Sequence, residues 1–301
     1  MALFPEARAA VEAAAADLPV WSEAYDVEAA RAANRTEALA EPPEDVAEVR
    51  DFDADGVPVR LYRPEGAADG MVVHLHGGGF VFHDLDVHDR VCRRFANRLD
   101  MGVLSVGYRL APEHPFPAAL DDVRAVYAGL LENVDAREVV LGAESSGAAL
   151  ALALLVDVKN ERPLPAAAFF ISGHFDMTLS GMSMASREAV DPVTTRESLE
   201  RAAAWYTRGA DRASPRVSPI FAPLDGLPPL LLQVGDDEIL LDDSTRVAAA
   251  VSRSGGRAEL SIWPGMWHAW PMHPDLPEAD EALAEIRGFL ERCSQRNGSS
   301  R

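Results

Sequence analysis

The chain has 301 residues, of which 48 are acidic and 28 are basic, so its formal net charge is −20. Such a negative surface repels phosphate backbones, which disfavours nucleic acid as a partner. No apolar run approaches the ~18 residues of a membrane span, and the N-terminus lacks the basic start and apolar stretch of a signal peptide. We therefore expect no membrane span and a cytoplasmic protein. Two cysteines far apart in sequence, Cys92 and Cys293, argue against a disulfide framework or a zinc site.

Along the chain, the residues up to about 45 predict helices, and two alternating runs around Asp53–Gly56 predict a β-hairpin. From residue 71 onward predicted strands and helices mostly alternate, which indicates a largely parallel sheet covered on both faces. Residues 175 to about 224 show a helix but no strand pattern. The predicted strands are Val46–Phe52, Val57–Tyr62, Met71–Leu75, Met101–Val106, a strand starting at Val139, Ala166–Ile171, Leu230–Val234 and Ala258–Trp263. The predicted helices are Pro5–Ala16, Val27–Leu39, His88–Leu99, Ala118–Glu132, Ala148–Val158, Glu197–Arg208, Asp243–Ser252 and Glu278–Cys293.

The stretch Ala143-Glu144-Ser145-Ser146-Gly147 joins a β-branched strand to an Ala/Leu-rich helix. A tight strand-to-helix turn of small residues around a serine is the layout of a nucleophile elbow, whose usual pattern is Gly-x-Ser-x-Gly. Spacing from Gly147 makes Ser145 the candidate nucleophile, because Ser146 would need a glycine at 148 and has an alanine there. A small-residue turn containing a serine also occurs for structural reasons alone.

A serine hydroxyl needs a base, usually a histidine held by a carboxylate, and parallel sheets place functional groups just beyond the carboxyl ends of their strands. His268 follows the last predicted strand and is the best-placed histidine. Asp237 follows another strand end and is our candidate carboxylate, although Asp236 and Glu238 are adjacent to it. Asp242 and Asp243 come next, and we expect them to open the following helix.

The loop His76-Gly77-Gly78-Gly79-Phe80 follows a buried strand. Ester cleavage passes through a tetrahedral oxyanion, and only glycines let backbone N–H groups converge closely on such an oxygen. The loop is therefore a candidate oxyanion hole, with a flexible turn as the alternative. Lys159 is the only lysine and lies in a polar stretch, which argues against Schiff-base chemistry.

Five motifs in order over about residues 40 to 293 resemble the bacterial hormone-sensitive-lipase family of esterases. They are His76–Phe80, Tyr108–Glu113, the turn at Ser145, Gly235–Glu238 and Gly265–His268. The resemblance implies an α/β-hydrolase fold, with a mostly parallel sheet of about eight strands, helices on both faces and a helical cap. It also implies Ser145 as nucleophile, Asp237 as acid and His268 as base, and an oxyanion hole made by the N–H groups of Gly78, Gly79 and Ser146.

The chain departs from the family pattern at three places: Ala143 replaces the first elbow glycine, residues 146–149 replace a run that is usually Ala-Gly-Gly-Asn, and Gly107 precedes the tyrosine. None of these changes removes a group of the implied catalytic machinery. The family's cap corresponds to residues 1–45 and about 175–222, and we expect both pieces to belong to a single domain spanning 1–301.

These observations predict a serine carboxylesterase that needs no cofactor or metal and acts on short-to-medium acyl esters with water. The alternatives are a lactone, amide or polyester hydrolase with the same triad, or a small-molecule receptor on this fold. Met177, Met182, Met184 and Trp205 could form an adaptable apolar wall or be ordinary core of the cap. The residues expected to contact substrate are Phe80, Trp267, Trp205 and Met182. The oligomeric state stays open, with a homodimer as one alternative.

Overall fold

A sheet of eight strands forms the centre of the described part of the chain. The structure is a computed structural model that describes residues 8–9, 25–40, 42–68 and 70–298. The spatial order is β1-β2-β4-β3-β5-β6-β7-β8; β2 runs antiparallel to its neighbours and β3 to β8 pair in parallel. The strands are β1 (Glu48–Ala54), β2 (Val57–Arg63), β3 (Met71–Leu75), β4 (Gly102–Val106), β5 (Val139–Glu144), β6 (Ala167–Ile171), β7 (Leu230–Gly235) and β8 (Ala258–Trp263). The predicted α/β architecture is confirmed.

Helices cover both faces of this sheet because alternate side chains of each central strand point to opposite sides. On β6, Phe170 packs in the cluster that contains residues of the helix Ser146–Val158, whereas Phe169 packs in the cluster that contains residues of the helices Asp89–Leu99 and Pro277–Gly298. The helices are α1 (Val27–Ala38), α2 (Asp89–Leu99), α3 (Ala118–Leu130), α4 (Ser146–Val158), α5 (Ser183–Ser186), α6 (Arg196–Thr207), α7 (Leu241–Arg253) and α8 (Pro277–Gly298). The buried central strands thus account for the near-continuous apolar runs in the sequence.

The segment from 175 to about 222 has no strand and is attached to the start of α7 by two carboxylates. Oδ2 of Asp243 accepts hydrogen bonds from the N–H groups of Phe175 and Asp176 at 2.7 and 2.9 Å, and Oδ2 of Asp242 accepts from those of Met182 and Ser183 at 2.6 and 3.1 Å. The two aspartates do not cap their own helix, which begins at Leu241 rather than at Asp243. They fix the position of a neighbouring segment instead.

The N-terminal segment contacts the rest of the molecule through α1. Arg31 on this helix donates hydrogen bonds to the carbonyl oxygens of Val81 and Ala111, both at 2.8 Å, and pairs with Glu113 at 2.9 Å. The predicted helix Pro5–Ala16 lies outside the described residues, apart from residues 8 and 9. Within the described residues, none of the helices is both long and apolar enough to cross a membrane.

Candidate active site

Ser145 stands on the sharp turn between β5 and α4. Its φ of 51° and ψ of −122° lie outside the regions that side-chain-bearing residues usually adopt. The Ser145 N–H donates to the carbonyl oxygen of Ile171, and the Ser145 carbonyl oxygen accepts from the N–H of His174, both at 3.0 Å. A Cβ at Gly147 would lie 2.1 Å from the carbonyl oxygen of Leu75, so the turn requires glycine there. The chain therefore folds here with the shape of a nucleophile elbow.

The next serine occupies a different environment. Ser146 begins α4, is completely buried, and its Oγ accepts a hydrogen bond from the N–H of Phe80 at 3.1 Å. The hydroxyl that faces a base is that of Ser145.

His268 lies in the loop after β8 and faces Ser145. Its Nε2 is 3.0 Å from the Ser145 Oγ, and its Nδ1 is 3.3 Å from Oε2 of Glu238. The three side chains form a continuous series of contacts from a carboxylate through an imidazole to a hydroxyl. This is the arrangement in which an imidazole can remove the proton of a serine.

The carboxylate in contact with His268 belongs to Glu238 and not to Asp237, so the prediction was wrong by one residue. The Asp237 carboxylate points away and pairs with Arg8 at 2.5 Å. Asp236 accepts a hydrogen bond from the N–H of Gly265 at 2.6 Å. The longer side chain of Glu238 turns back under the end of β7, where its Oε1 accepts from the N–H of Gly235 at 2.6 Å. The three consecutive carboxylates of this turn therefore point in three directions, and only that of Glu238 contacts the imidazole of His268.

Glu238 is completely buried, which fits it to hold an imidazolium. Burial raises the pKa of Glu238, although the hydrogen bond from His268 opposes this effect. Burial also disfavours the charged form of His268. The hydrogen bond and charge of Glu238 outweigh that penalty and raise the pKa of His268 above its ordinary value. Each partner therefore binds its proton more firmly than it would in water.

The glycine loop is held at both ends and leaves two N–H groups in its middle. The N–H of Gly77 donates to Oε1 of Glu144 at 2.5 Å, and the N–H of Phe80 donates to Ser146 Oγ. Gly78 and Gly79 have φ of 98° and 63°, and a Cβ at Gly78 would lie 2.5 Å from the carbonyl oxygen of Phe82. Among the described residues, the N–H groups of Gly78 and Gly79 have no hydrogen-bond acceptor. They are two of the three N–H groups that we predicted as oxyanion donors, the third being that of Ser146.

Glu144, which our sequence analysis did not single out, fixes this loop. It is buried at the end of β5 and contacts the Nε2 atoms of His74 and His88 at 2.8 and 2.6 Å, in addition to the N–H of Gly77. Burial alone would raise the pKa of Glu144, but the charges of His74 and His88 outweigh it and lower the pKa well below its ordinary value. An acidic residue in an otherwise apolar, buried strand must be paired. The position of Glu144 at the end of such a strand could therefore have identified it from the sequence.

The residues that we expected to contact substrate differ widely in their exposure. Phe80 is buried and its ring stacks on Tyr206 at 3.7 Å, and Trp267 is fully buried in a cluster with Trp270. Met182 is 82% exposed, so it forms no enclosed wall. Met177 and Met184 are fully buried, so for these two residues the structure favours the second alternative, ordinary core. Trp205 is half-buried on α6, and its ring lies 6.2 Å from that of Tyr25.

Known proteins resemble this chain along most of its length. A family model for the α/β-hydrolase fold matches residues 72–272. An esterase of Acinetobacter venetianus is 35% identical over 252 residues, covering 82% of this chain and 83% of its own length. An acetyl-hydrolase of Streptomyces hygroscopicus is 36% identical over 255 residues, covering 84% of each chain. A crystal structure of an esterase from the bacterial hormone-sensitive lipase family superposes with a TM-score of 0.91 at 34% identity, covering 98% of this chain and 100% of the other.

The chain belongs to the hormone-sensitive-lipase family of α/β-hydrolase esterases. The family predicted from the five motifs is confirmed, and so is the prediction of a carboxylesterase. The structure places Glu238 beside His268, where we had expected Asp237. A glutamate is an accepted third member of the triad on this fold.

Proposed function

We propose that this esterase works through the triad Ser145, His268 and Glu238 and an acyl-enzyme intermediate. The observation that carries the proposal is the imidazole of His268, which lies within 3.0 Å of the Ser145 Oγ on one side and 3.3 Å of Glu238 on the other. Ser145 attacks the acyl carbon while His268 Nε2 takes its proton, and Glu238 stabilises the imidazolium that results.

The remaining steps use the same residues. The oxyanion accepts hydrogen bonds from the N–H groups of Gly78, Gly79 and Ser146. The alcohol then leaves with the proton held by His268, and the acyl group stays on Ser145. Water, deprotonated by His268, attacks this ester and releases the acid. No step requires a cofactor or metal.

We further propose short-to-medium acyl esters as substrates and a cap formed by residues 1–45 and 175–222. One support is that α6 packs directly on the glycine loop, since a Cβ at Gly79 would lie 3.1 Å from that of Ala202. Another is the Streptomyces relative, which is named an acetyl-hydrolase. A helix this close above the oxyanion donors leaves limited room for the acyl chain.

Purified protein assayed on p-nitrophenyl acetate, butyrate, octanoate and palmitate tests this function. We expect kcat/KM to be highest on the short esters and to be lost in Ser145→Ala. A fluorophosphonate should label the peptide that contains Ser145. A label on Ser146, or a higher kcat/KM on the palmitate than on the butyrate, would contradict the proposal.

A further inference from the structure

Ser172, the residue that follows β6, lies where all three segments that carry the proposed triad meet. Its hydroxyl donates to Oε1 of Glu238 at 2.6 Å and accepts from the N–H of Ala269, next to His268, at 2.9 Å. Its chain neighbour Ile171 accepts the N–H of Ser145. One strand end thus contacts the acid, the loop of the base and the backbone of the nucleophile.

We propose that Ser172 is a positioning residue. Its hydroxyl holds the Glu238 carboxylate and the loop of His268 in fixed positions relative to each other. The inference rests on the proposed triad and adds to it a residue that touches no substrate. The bridge requires one atom that donates and accepts at the same time, which a hydroxyl does and a methyl group cannot.

The geometry of Ser172 supports a dedicated role. The residue is completely buried and has a φ of 51°, which is unfavourable for a side-chain-bearing residue. Its N–H donates to the carbonyl oxygen of Gln233 on β7 at 2.8 Å. The backbone is thus held where the hydroxyl reaches both partners, although glycine would suit this conformation better.

The bridge also explains how Glu238 presents one oxygen to the imidazole. Oε1 is occupied by two donors, the Ser172 hydroxyl and the Gly235 N–H, both at 2.6 Å. Oε2 is left for His268 Nδ1. Without the hydroxyl, Oε1 keeps only the Gly235 N–H as a donor, so the carboxylate can rotate, and the N–H of Ala269 loses its acceptor.

The test compares Ser172→Ala and Ser172→Gly with a matched control, Ser105→Ala. Ser105 is an equally buried serine on β4 whose Oγ has no partner in the described chain. We expect both Ser172 variants to lose about 10- to 100-fold in kcat with little change in KM, as for a lost hydrogen bond to a charged group. The control should keep its kcat. The glycine variant relieves the backbone conformation, so its thermal midpoint separates a positioning effect from misfolding.

A pH profile distinguishes positioning from a purely structural role. A carboxylate that rotates away from Nδ1 stabilises the imidazolium less, so the pKa of His268 should fall and the acidic limb of kcat/KM should move to lower pH. Asp191 and Glu144, the other carboxylates whose charges act on His268, and the neighbouring His174 are unchanged in these variants.

Two outcomes separate this inference from the proposed function. If Ser145→Ala is inactive while both Ser172 variants keep the parent kcat and pH profile, the triad stands and the positioning role is refuted. If Ser145→Ala remains active, the proposed function itself fails. A loss confined to KM in the Ser172 variants would also overturn the positioning role.

Discussion

At the scale of single residues, the acid of the proposed triad can be tested with its neighbour Asp237 as the control. Glu238→Gln keeps the size of the side chain but removes the charge that stabilises the imidazolium. We expect kcat to fall by up to ~10⁴-fold, as when the triad acid is neutralised in other serine hydrolases. Asp237→Asn should stay within about tenfold of the parent, because its carboxylate pairs with Arg8 and does not contact His268. Kinetics on p-nitrophenyl butyrate measure both, and a greater loss in Asp237→Asn would restore the original assignment.

The protonation of His268 predicts the pH dependence of the reaction. Only the neutral imidazole can accept the Ser145 proton, and the pKa of His268 is raised by Glu238 in spite of burial. Activity should therefore fall as the pH drops through a value above the ordinary histidine pKa of about 6.5. The measurement is kcat/KM between pH 5 and 9. An acidic limb centred below the ordinary value would mean that Glu238 does not stabilise the imidazolium.

At the scale of elements, Arg8 joins three parts of the chain near the site. Its guanidinium contacts the Asp237 carboxylate after β7 and the carbonyl oxygen of Val190, each at 2.5 Å. Asp237 thus has a contact of its own outside the proposed triad, since it binds the side chain of residue 8. The segment around Val190 is attached by the same side chain.

A double-mutant cycle measures this attachment. Arg8→Gln, Asp237→Asn and the combined variant should show a coupling of about 1 kcal/mol in the free energy of urea unfolding, because the pair is mostly buried. A parallel cycle on the exposed pair Arg137–Asp135 should give a smaller coupling, because solvent screens that pair. Equal couplings in the two cycles would show that Arg8 does not hold the segment.

At the scale of the whole molecule, the excess of 48 acidic over 28 basic residues acts on stability. Repulsion among the surplus carboxylates opposes the compact state, and salt screens charges further apart than about 10 Å at 0.1 M. We expect the thermal midpoint at pH 7.5 to rise when sodium chloride increases from 10 to 200 mM. A fall would mean that screening of surface ion pairs, such as Arg60–Asp51, outweighs relief of the general repulsion.

The amino-acid sequence by itself determined the architecture, and it pointed to two of the three side chains that the structure brings together in the proposed triad. The alternating strands and helices predicted the parallel sheet because the buried central strands are apolar along their length. Ser145 and His268 were identifiable because each follows a strand end and has a local pattern. Gly147 belongs to the pattern at Ser145, since a Cβ there would lie 2.1 Å from the carbonyl oxygen of Leu75.

Only the tertiary structure decided which carboxylate faces the base and what encloses the site. Asp236, Asp237 and Glu238 are adjacent and chemically alike, and their directions depend on how the turn after β7 packs on the loop after β8. That contact joins residues about 30 positions apart, as in the hydrogen bond from Gly265 to Asp236. Phe80 and Trp267 were similarly ambiguous, since an aromatic residue near a site can line it or be buried beneath it. The local sequence pattern shows which side chains are available near the site. The distances between those side chains are set by packing between segments that are far apart in the sequence.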